Sequence, residues 1–261
     1  MFNSYEFTYA GESSFSYGLM IYDFGGKGQS EVSFGNKASL FETRTNNRIQ
    51  PIHFGVNYHK TPLEFKLVFG AEEPLDRYDL ERISNWLTGN QTYEWLTIDQ
   101  PDLNHVRFRC LITSLTPLVH GWLPVAFEAT VLCDCPYAYG FEFEEEFVLG
   151  GSEIIVFRND GSAKEYIKPT LYLDISPGTS ELTIVNRSDN NREFKMTELP
   201  SGVQIIVDNN NGIIYCEGAD YNLYDGFNMN FFRLVPGDNE LEITGNGTLT
   251  IIGSFLHNVA G

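Results

Sequence analysis

The sequence predicts an all-β protein with a single α-helix, divided into two β-sandwich domains. Runs of alternating apolar and polar residues recur along most of the 261-residue chain, which is the pattern of half-buried strands. Only one stretch carries the apolar spacing of an amphipathic helix. The chain also changes character near residue 140, beyond which it is markedly more acidic. We therefore predict two β domains, residues 1–140 and residues 141–261.

The domain boundary is predicted where a strand within residues 121–140 stops. From Val125 to Cys133 every second residue is apolar, which predicts a strand with one buried face. Pro136 ends the pattern, because proline has no amide hydrogen to donate to a neighbouring strand. An acid-rich segment, Phe141–Phe147, follows at once. We read this stretch as the closing strand of one domain and the exit into the next.

The first domain is predicted to contain about seven strands, most of them rich in aromatic residues. Pro117 is expected to end one of them. Ahead of the closing strand, they are predicted at Phe2–Tyr9, Leu19–Phe24, Leu63–Gly70, Tyr93–Ile98 and Val106–Thr116.

The polar, extended segment from Val32 to Lys60 is either a pair of strands or a long β-arm that reaches away from its own core. Arg44 and Arg48 flank two asparagines, and Ile52 and Phe54 supply modest apolar content. Such an arm needs a neighbouring chain to cover its apolar side. These four residues are our candidates for an inter-subunit contact.

Residues 74–88 are predicted to form the helix. Asp76 is a good N-cap and Asp79 follows in the first turn, where carboxylates are favourable beside unpaired amides. Gly89 is well placed as the residue just past the end. One apolar stripe, expected to pack across a sheet, is formed by Leu80, Ile83, Trp86 and Leu87.

Residues 150–261 are predicted to form a second all-β unit, a sandwich or jelly roll of short strands. One hairpin is predicted between Val203–Val207 and Ile213–Cys216, around an Asn-Gly turn. A second is predicted between Leu241–Thr244 and Thr248–Ile252, through a Gly-Asn-Gly turn.

One loop of the second unit carries two tyrosines among polar residues. Tyr221 and Tyr224 lie within residues 218–226. Such tyrosines can stack on a sugar ring or on a partner protein, and the alternative is ordinary anchoring of the loop. They are our candidates for a ligand or partner contact.

The net charge of −18 argues against a nucleic-acid partner and against an anionic membrane surface. Residues 1–140 hold 10 basic and 16 acidic side chains, a net charge of −6, whereas residues 141–261 hold 7 and 19, a net charge of −12. Basic patches on partner proteins fit this charge, and simple solubility is the alternative reading. No apolar run is long enough for a membrane helix, and the N-terminus lacks a secretory signal, so we expect synthesis in a cytoplasm.

No motif for catalysis or for binding a cofactor or metal is present. The five histidines are scattered, and metalloprotease, hydrolase and dinucleotide motifs are missing. Cys133 and Cys135 form a C-x-C pair without a second pair of ligands, so buried thiols are expected rather than zinc ligands. The four carboxylates of residues 141–147 are expected to lie on the solvated face of an edge strand or linker. We therefore predict no enzyme, no cofactor and no metal.

The order of these elements resembles that of the distal tail protein family of long-tailed phages with flexible tails. Asp134, Pro136, Tyr137 and Ala138 carry one part of the likeness, and the V-P-G-D-N-E-L run of Val235–Leu241 carries another. The resemblance extends over nearly the whole chain, from the aromatic β-rich start through the helix to the C-terminal sandwich.

This resemblance implies a structural hub of a phage tail tip or baseplate, a virion component at the distal end of the tail that is made in the bacterial cytoplasm. The N-terminal domain would form a homo-hexameric ring between tail tube and tip, with a hairpin or belt embracing the neighbouring subunit; residues 42–60 are our candidate belt. Implied partners are the tail tube protein, the tail-associated (tail-tip) protein and, in some members, receptor-binding proteins carried by a C-terminal domain that is similar to galectins and carbohydrate-binding modules. No sugar-binding motif carries over residue by residue, so a host saccharide stays an open partner.

Two other functions remain as alternatives. A stand-alone carbohydrate-binding protein would bind a specific glycan through Tyr221 or Tyr224. A cell-wall hydrolase would need two positioned carboxylates, and among 35 acidic residues the sequence cannot exclude such a pair.

Overall fold

The computed structural model describes residues 6–21, 37–43, 49–59, 61–71, 73–120, 123–216 and 221–259, with only the backbone described at 37–40, 56–59 and 123. The chain divides into two compact units. The first holds the described residues up to Tyr139 together with Asn258 and Val259, and the second is residues 140–257. In the described part of the chain, no helix has the length and apolarity needed to cross a membrane. The prediction of an all-β protein with one helix is confirmed.

Seven strands of the first unit form one antiparallel sheet in the order β3-β6-β9-β8-β7-β1-β2. Two further strands, β4 and β5, pair only with each other among the described strands. The strands are β1 (Phe7–Tyr9), β2 (Glu12–Ser13), β3 (Leu19–Ile21), β4 (Lys37–Thr43), β5 (Ile52–His59), β6 (Glu64–Ala71), β7 (Glu94–Ile98), β8 (Val106–His120) and β9 (Leu123–Cys133).

The alternation in the sequence correctly identifies the buried face of this sheet. In β6, Phe65, Leu67 and Phe69 are buried, and in β9 the residues from Phe127 to Cys133 alternate in the same way. Side chains of successive strand residues point to opposite faces, so only one set of each strand can join the core. The core of the first unit is built from these alternate residues and from the apolar stripe of the helix.

The prediction that Pro117 ends its strand is wrong. β8 continues to His120, and Pro117 lies opposite Phe127 of β9. The register is regular from Ser114 through Pro117 to Leu118, and it shifts only between Leu118 and Val119. A proline is tolerated within a strand where no neighbouring strand needs its missing amide donor.

The helix α1 (Arg77–Thr88) forms where predicted and is fixed by its single inward tryptophan. The Trp86 Nε1–H donates to the carbonyl oxygen of Tyr9 at 3.0 Å. Its indole stacks on the ring of Tyr17, with centroids 4.2 Å apart and an interplanar angle of 3°, and also stacks on Phe7 at 5.7 Å. Trp86 therefore joins the helix to the N-terminal strand and to the turn that follows it.

A capping box begins the helix, as Asp76 and Asp79 indicated. The Asp76 carboxylate accepts from the backbone amides of Tyr78 at 2.8 Å and Asp79 at 2.9 Å, and the Asp79 carboxylate accepts from the Asp76 amide at 3.2 Å. Gly89 closes the helix in the right-handed conformation, with a φ of −77°, rather than in the left-handed one common after helix ends.

We expect Asp76→Ala to lower the free energy of unfolding of the first unit by about 0.5–2 kcal/mol, because two amides of the first turn lose their acceptor. Urea unfolding followed by tryptophan fluorescence measures this change. Glu81→Ala, on the exposed side of the same helix, is the control and should change stability by less than about 0.5 kcal/mol. Equal effects of the two substitutions would contradict a capping role for Asp76.

The second unit is a sandwich in which two long strands, β10 and β16, take part in both sheets. One sheet has the order β15-β14-β11-β16, and β12 and β13 extend from the other half of β16. The core contains residues of both sheets. The strands are β10 (Ala138–Asn159), β11 (Thr170–Ile175), β12 (Glu181–Asn186), β13 (Arg192–Thr197), β14 (Gln204–Asp208), β15 (Ile213–Cys216) and β16 (Gly237–His257).

The strands β10 and β16 pair with each other and bend together around the core. Contacts near opposite ends of β10, between Gly140 and His257 and between Arg158 and Asp238, show that the strands run antiparallel along their length. Phe143 and Phe157 lie fourteen positions apart on β10, yet their ring centroids are only 5.4 Å apart. The strand therefore folds over the core, and each half belongs to a different sheet.

The predicted hairpin through Gly245 and Gly247 is wrong, because these glycines lie at the bend of the continuous strand β16. Its first half pairs with β12 and its second half pairs with β11. A Cβ at Gly247 would clash with the carbonyl oxygen of Asp174, and both glycines have positive φ, 152° and 146°. Glycine is required here for a close approach of neighbouring backbone rather than for a turn. The hairpin of β14 and β15 is confirmed.

Candidate functional site

The hairpin of β4 and β5 exposes large apolar side chains in the first unit. The two strands pair from Lys37 opposite His59 to Thr43 opposite Ile52, which places a two-stranded ribbon in the segment between Val32 and Lys60. A two-stranded ribbon without a third strand is only marginally stable in water. The structure therefore shows a strand pair in this segment, and the inter-subunit arm stays a prediction.

A β-bulge places a phenylalanine on the surface of this hairpin. Phe41 lies opposite Gly55 and Glu42 opposite His53, so Phe54 is the extra residue between the two pairs. Phe54 is 69% exposed and Phe41 is 56% exposed, while Ile49, between the strands in sequence, is fully exposed. Phenylalanine buries a large apolar area when it finds a partner surface, so these side chains are suited to an interface.

The four arm candidates divide in their placement. Phe54 is exposed at the bulge and Ile52 is half-buried at the start of β5. Arg44 and Arg48 lie outside the described residues. Phe41 was missed by the sequence analysis. The sequence does carry a signal for the bulge, the glycine at position 55 opposite Phe41, and in the structure this glycine has a φ of +147°.

The two tyrosine candidates of the second unit differ in their surroundings. The Tyr224 hydroxyl accepts from the backbone amide of Ile214 at 2.9 Å. Ile214 belongs to β15, the outermost strand of its sheet, so Tyr224 satisfies a donor at an open sheet edge. Tyr221 is half-exposed at the surface. The geometry thus gives Tyr224 a structural contact.

The D-x-P-Y-A segment forms a polar cluster at the end of the first unit. The Tyr139 hydroxyl donates to the Asp134 carboxylate, with both oxygens at 3.1 Å, and the Arg109 guanidinium lies 3.8 Å from the same carboxylate. The Tyr139 ring meets the Trp95 ring edge to face, and the Arg107 guanidinium lies over the Trp95 ring, 3.8 Å from its centroid. Burial raises the pKa of the Tyr139 phenol, with hydrogen bonding to Cys135 and Asp134 adding to the shift. These contacts hold the end of the first unit in place, between Asp134 and Tyr139.

The V-P-G-D-N-E-L run is organised by a fully buried asparagine. The Asn239 amide nitrogen donates to the carbonyl oxygens of Val235 and Gly237, both at 2.9 Å. Its side-chain oxygen accepts from the Val235 amide and from Asn186, both at 2.8 Å. Both N–H groups of the Asn239 amide and both lone pairs of its side-chain oxygen are therefore used. These four hydrogen bonds stabilise the turn before β16.

Cysteines do not form a metal site in the described part of the chain. Cys110 and Cys133 are buried opposite each other on β8 and β9, and their thiols are free. Burial raises the pKa of Cys110 to about 12 and also raises that of Cys133, which disfavours the thiolate that binds metals. The expected buried thiol is therefore confirmed at Cys133, whereas Cys135 is only half-buried.

The acid-rich segment lies on β10 with its carboxylates exposed. Glu142, Glu144, Glu145 and Glu146 face solvent, whereas Phe143 and Phe147 pack against the core of the second unit. Nowhere in the described ranges do three potential ligands among His, Cys, Asp and Glu come close enough to hold a metal. The segment is a solvated strand face, as its alternation indicated.

Comparison with protein-family models gives two matches that together cover most of the chain. Residues 2–135 match the model described as "Phage tail protein N-terminal domain". Residues 137–252 match the model described as "Phage tail C-terminal domain". The boundary between the two matches falls at the D-x-P-Y-A segment. A similar protein is the SPbeta prophage-derived uncharacterized protein YomH of Bacillus subtilis (strain 168), 27% identical over 221 residues, which are 84% of either chain.

Two solved structures share the fold over nearly the full length of the chain. The SPP1 Dit protein, described as a paradigm of the hub adsorption apparatus in phages infecting Gram-positive bacteria, is 15% identical with a TM-score of 0.68, and the match covers 97% of this chain and 99% of that one. A chain of the phage p2 baseplate in its activated conformation with Sr is 11% identical with a TM-score of 0.53, covering 96% and 97%.

Proposed function

Since this chain belongs to the phage tail protein family whose N-terminal and C-terminal domain models it matches, we propose that it is the structural hub of a phage tail tip or baseplate. In this role it joins the tail tube to the host-adsorption apparatus as part of the virion. The fold it shares with the SPP1 Dit protein over 97% of the chain supports the proposal. No catalytic step is part of it.

The exposed β4–β5 hairpin is the observation that carries the proposal. A ring needs each subunit to offer a surface that a neighbour covers, and the contact must repeat head to tail until it closes. The hairpin offers Phe41 and Phe54 away from the seven-stranded sheet of its own unit. We propose that it packs on the next subunit, and that the closed ring is a homo-hexamer.

The partners in this proposal are other tail proteins. The tail tube protein would contact one face of the ring, and the tail-associated protein the other. The second unit, with a net charge of −12 over residues 141–261, would be repelled by anionic polymers and fits partner proteins with basic patches.

Ring formation is the direct test. Purified full-length protein is expected to form closed rings of six subunits, visible by negative-stain electron microscopy, with a matching mass by light scattering after size-exclusion chromatography. The same measurement with the tail tube protein added covers the case in which the ring assembles only on that surface. A strictly monomeric protein in both experiments would overturn the proposal.

A further inference from the structure

We propose that Cys110 and Cys133 are a modification site, a pair of thiols that a small-molecule disulfide converts into a disulfide bond between two strands. The bond joins β8 to β9 within the first unit. This inference goes beyond the hub role, and its chemistry does not depend on ring assembly. In the sequence Cys133 forms a C-x-C motif with Cys135, and only the fold brings Cys110 beside it.

The two cysteines lie directly opposite each other on neighbouring antiparallel strands. Cys110 of β8 is the register partner of Cys133 of β9, and they form the end pair of the β8–β9 ladder. Both side chains belong to the core of the first unit, with exposures of 0% and 1%, so they leave the sheet on the same face. The two thiols are therefore carried by side chains that are direct neighbours across the strands.

The surrounding hydrogen bonds identify this pair as a non-hydrogen-bonded one. The Asp134 amide donates to the carbonyl oxygen of Arg109 at 2.9 Å, which is the bond that flanks such a pair. The Cys133 amide points away from β8 and donates to the carbonyl oxygen of Leu63 at 2.8 Å. In pairs of this kind the Cα atoms are about 4.5 Å apart and the side chains approach closely. A disulfide needs Cα atoms about 4.4–6.8 Å apart, so the bond requires little backbone movement.

The other two cysteines are not placed to compete for this bond. Cys135 lies beyond the end of β9, where its thiol donates to the carbonyl oxygen of Tyr137 at 3.1 Å. Cys216 belongs to the second unit. All four cysteines lie in the described part of the chain, and only Cys110 is in strand register with Cys133.

The reaction is thiol–disulfide exchange with a low-molecular-weight disulfide such as oxidised glutathione. One thiolate of the pair attacks a sulfur of that disulfide, forms a mixed disulfide and releases one glutathione thiolate. The second thiolate of the pair attacks the protein sulfur of the mixed disulfide, which forms the protein bond and releases the second glutathione thiolate. The two protons lost by the cysteines pass to the two released thiolates. The protein is thereby oxidised by two electrons, and the small disulfide is reduced by the same two.

Burial makes this exchange slow in the folded protein. It raises the pKa of the Cys110 thiol to about 12, so the attacking thiolate is scarce near neutral pH. The exchange therefore proceeds during folding or through local opening of the strands. A cytoplasm keeps such thiols reduced, whereas an extracellular environment allows the bond to persist. On the proposed virion role, the protein passes from the first environment to the second.

The bond fastens the end of β9 just before the chain leaves the first unit. Residues 134–139 follow at once, and the second unit begins at residue 140. A disulfide stabilises a fold chiefly by restricting the unfolded chain, and this one closes the loop of residues 110–133. We expect oxidation to raise the thermal unfolding midpoint of the first unit by roughly 5–10 °C.

The test is refolding of the full-length protein from urea with oxidised and reduced glutathione, compared with refolding in dithiothreitol. After alkylation of the remaining thiols, peptide mapping by mass spectrometry is expected to show Cys110 linked to Cys133. Tryptophan fluorescence during heating reports the midpoint of the first unit, because all three tryptophans precede residue 140. Cys216→Ser is the matched control and should give the same link and the same rise. Cys110→Ala should give neither.

Three outcomes would overturn the inference. They are the absence of the link after refolding with the oxidant, a link of either cysteine to a different thiol in its place, and a link that leaves the unfolding midpoint unchanged. Cys135→Ser tests the second outcome independently, since this variant should still form the proposed link. None of these measurements depends on rings, so the inference and the hub proposal can fail separately.

Discussion

Replacing Trp86 by alanine is expected to destabilise the first unit by about 3–5 kcal/mol, the range for removing a large aromatic from a core. The indole is 7% exposed and meets three aromatic rings, stacking on Tyr17 and Phe7 and lying edge to face with Tyr9. The substitution also removes the hydrogen bond from the Trp86 indole N–H to the carbonyl oxygen of Tyr9. These contacts join α1 to the N-terminal strand and to the turn that follows it. The substitution should therefore weaken the packing of the whole helix against the first unit.

Tryptophan fluorescence during urea unfolding isolates this effect. All three tryptophans, at positions 86, 95 and 122, precede residue 140, so the signal of the variant still comes from the first unit. Tyr78→Ala is the matched control, since this ring lies on the same helix but is 80% exposed, and its loss should change stability by less than about 0.5 kcal/mol. Trp86→Phe keeps most of the apolar volume and should fall between the two. A loss below about 1 kcal/mol for Trp86→Ala would contradict the anchoring role.

The double substitution Phe41→Ser, Phe54→Ser is expected to prevent ring assembly while the monomer stays folded. Aromatic anchors that act as hot spots contribute about 2 kcal/mol or more each at interfaces, so the loss of two should weaken each subunit contact by about 700-fold or more. Both side chains are exposed in the isolated chain, and their hairpin pairs with no other described strand, so stability of the seven-stranded sheet should not change.

Light scattering and negative-stain images of the double variant measure this effect against the parent. Phe141→Ser, a 55% exposed phenylalanine in the second unit, is the matched control and should still form rings. Unchanged thermal melting would confirm that the double variant is folded. If the double variant formed rings in normal yield, the hairpin would be excluded as the subunit contact. The proposal that the protein forms rings would still stand.

The buried strand faces and the helix could be predicted because their signals are local. Asp76, Asp79 and the stripe from Leu80 to Leu87 are contained within one run of residues, so capping and apolar spacing suffice to identify them. The alternation in β6 and β9 works for the same reason. The family resemblance is also confirmed, since both phage tail models match the chain.

The errors arose where a local signal depends on its neighbours in space. A Gly-Asn-Gly sequence commonly forms a hairpin turn, yet here Gly245 and Gly247 allow a strand to pass close to Leu182 and Asp174. A proline commonly ends a strand, yet β8 continues through Pro117, which stays in register with Phe127 of β9. The residues next to these glycines and this proline in the sequence do not predict which strand lies beside them in the structure.

The proposed sites show the same division. The sequence by itself determined the fold class, the helix and the acidic character of the second half, because each depends on residues close in the chain. Only the tertiary structure decided that Phe54 stands at a bulge, that Tyr224 satisfies a strand edge, and that Cys110 lies opposite Cys133. Strand pairing brings residues that are distant in the chain into register, and that register is set by packing of the whole unit.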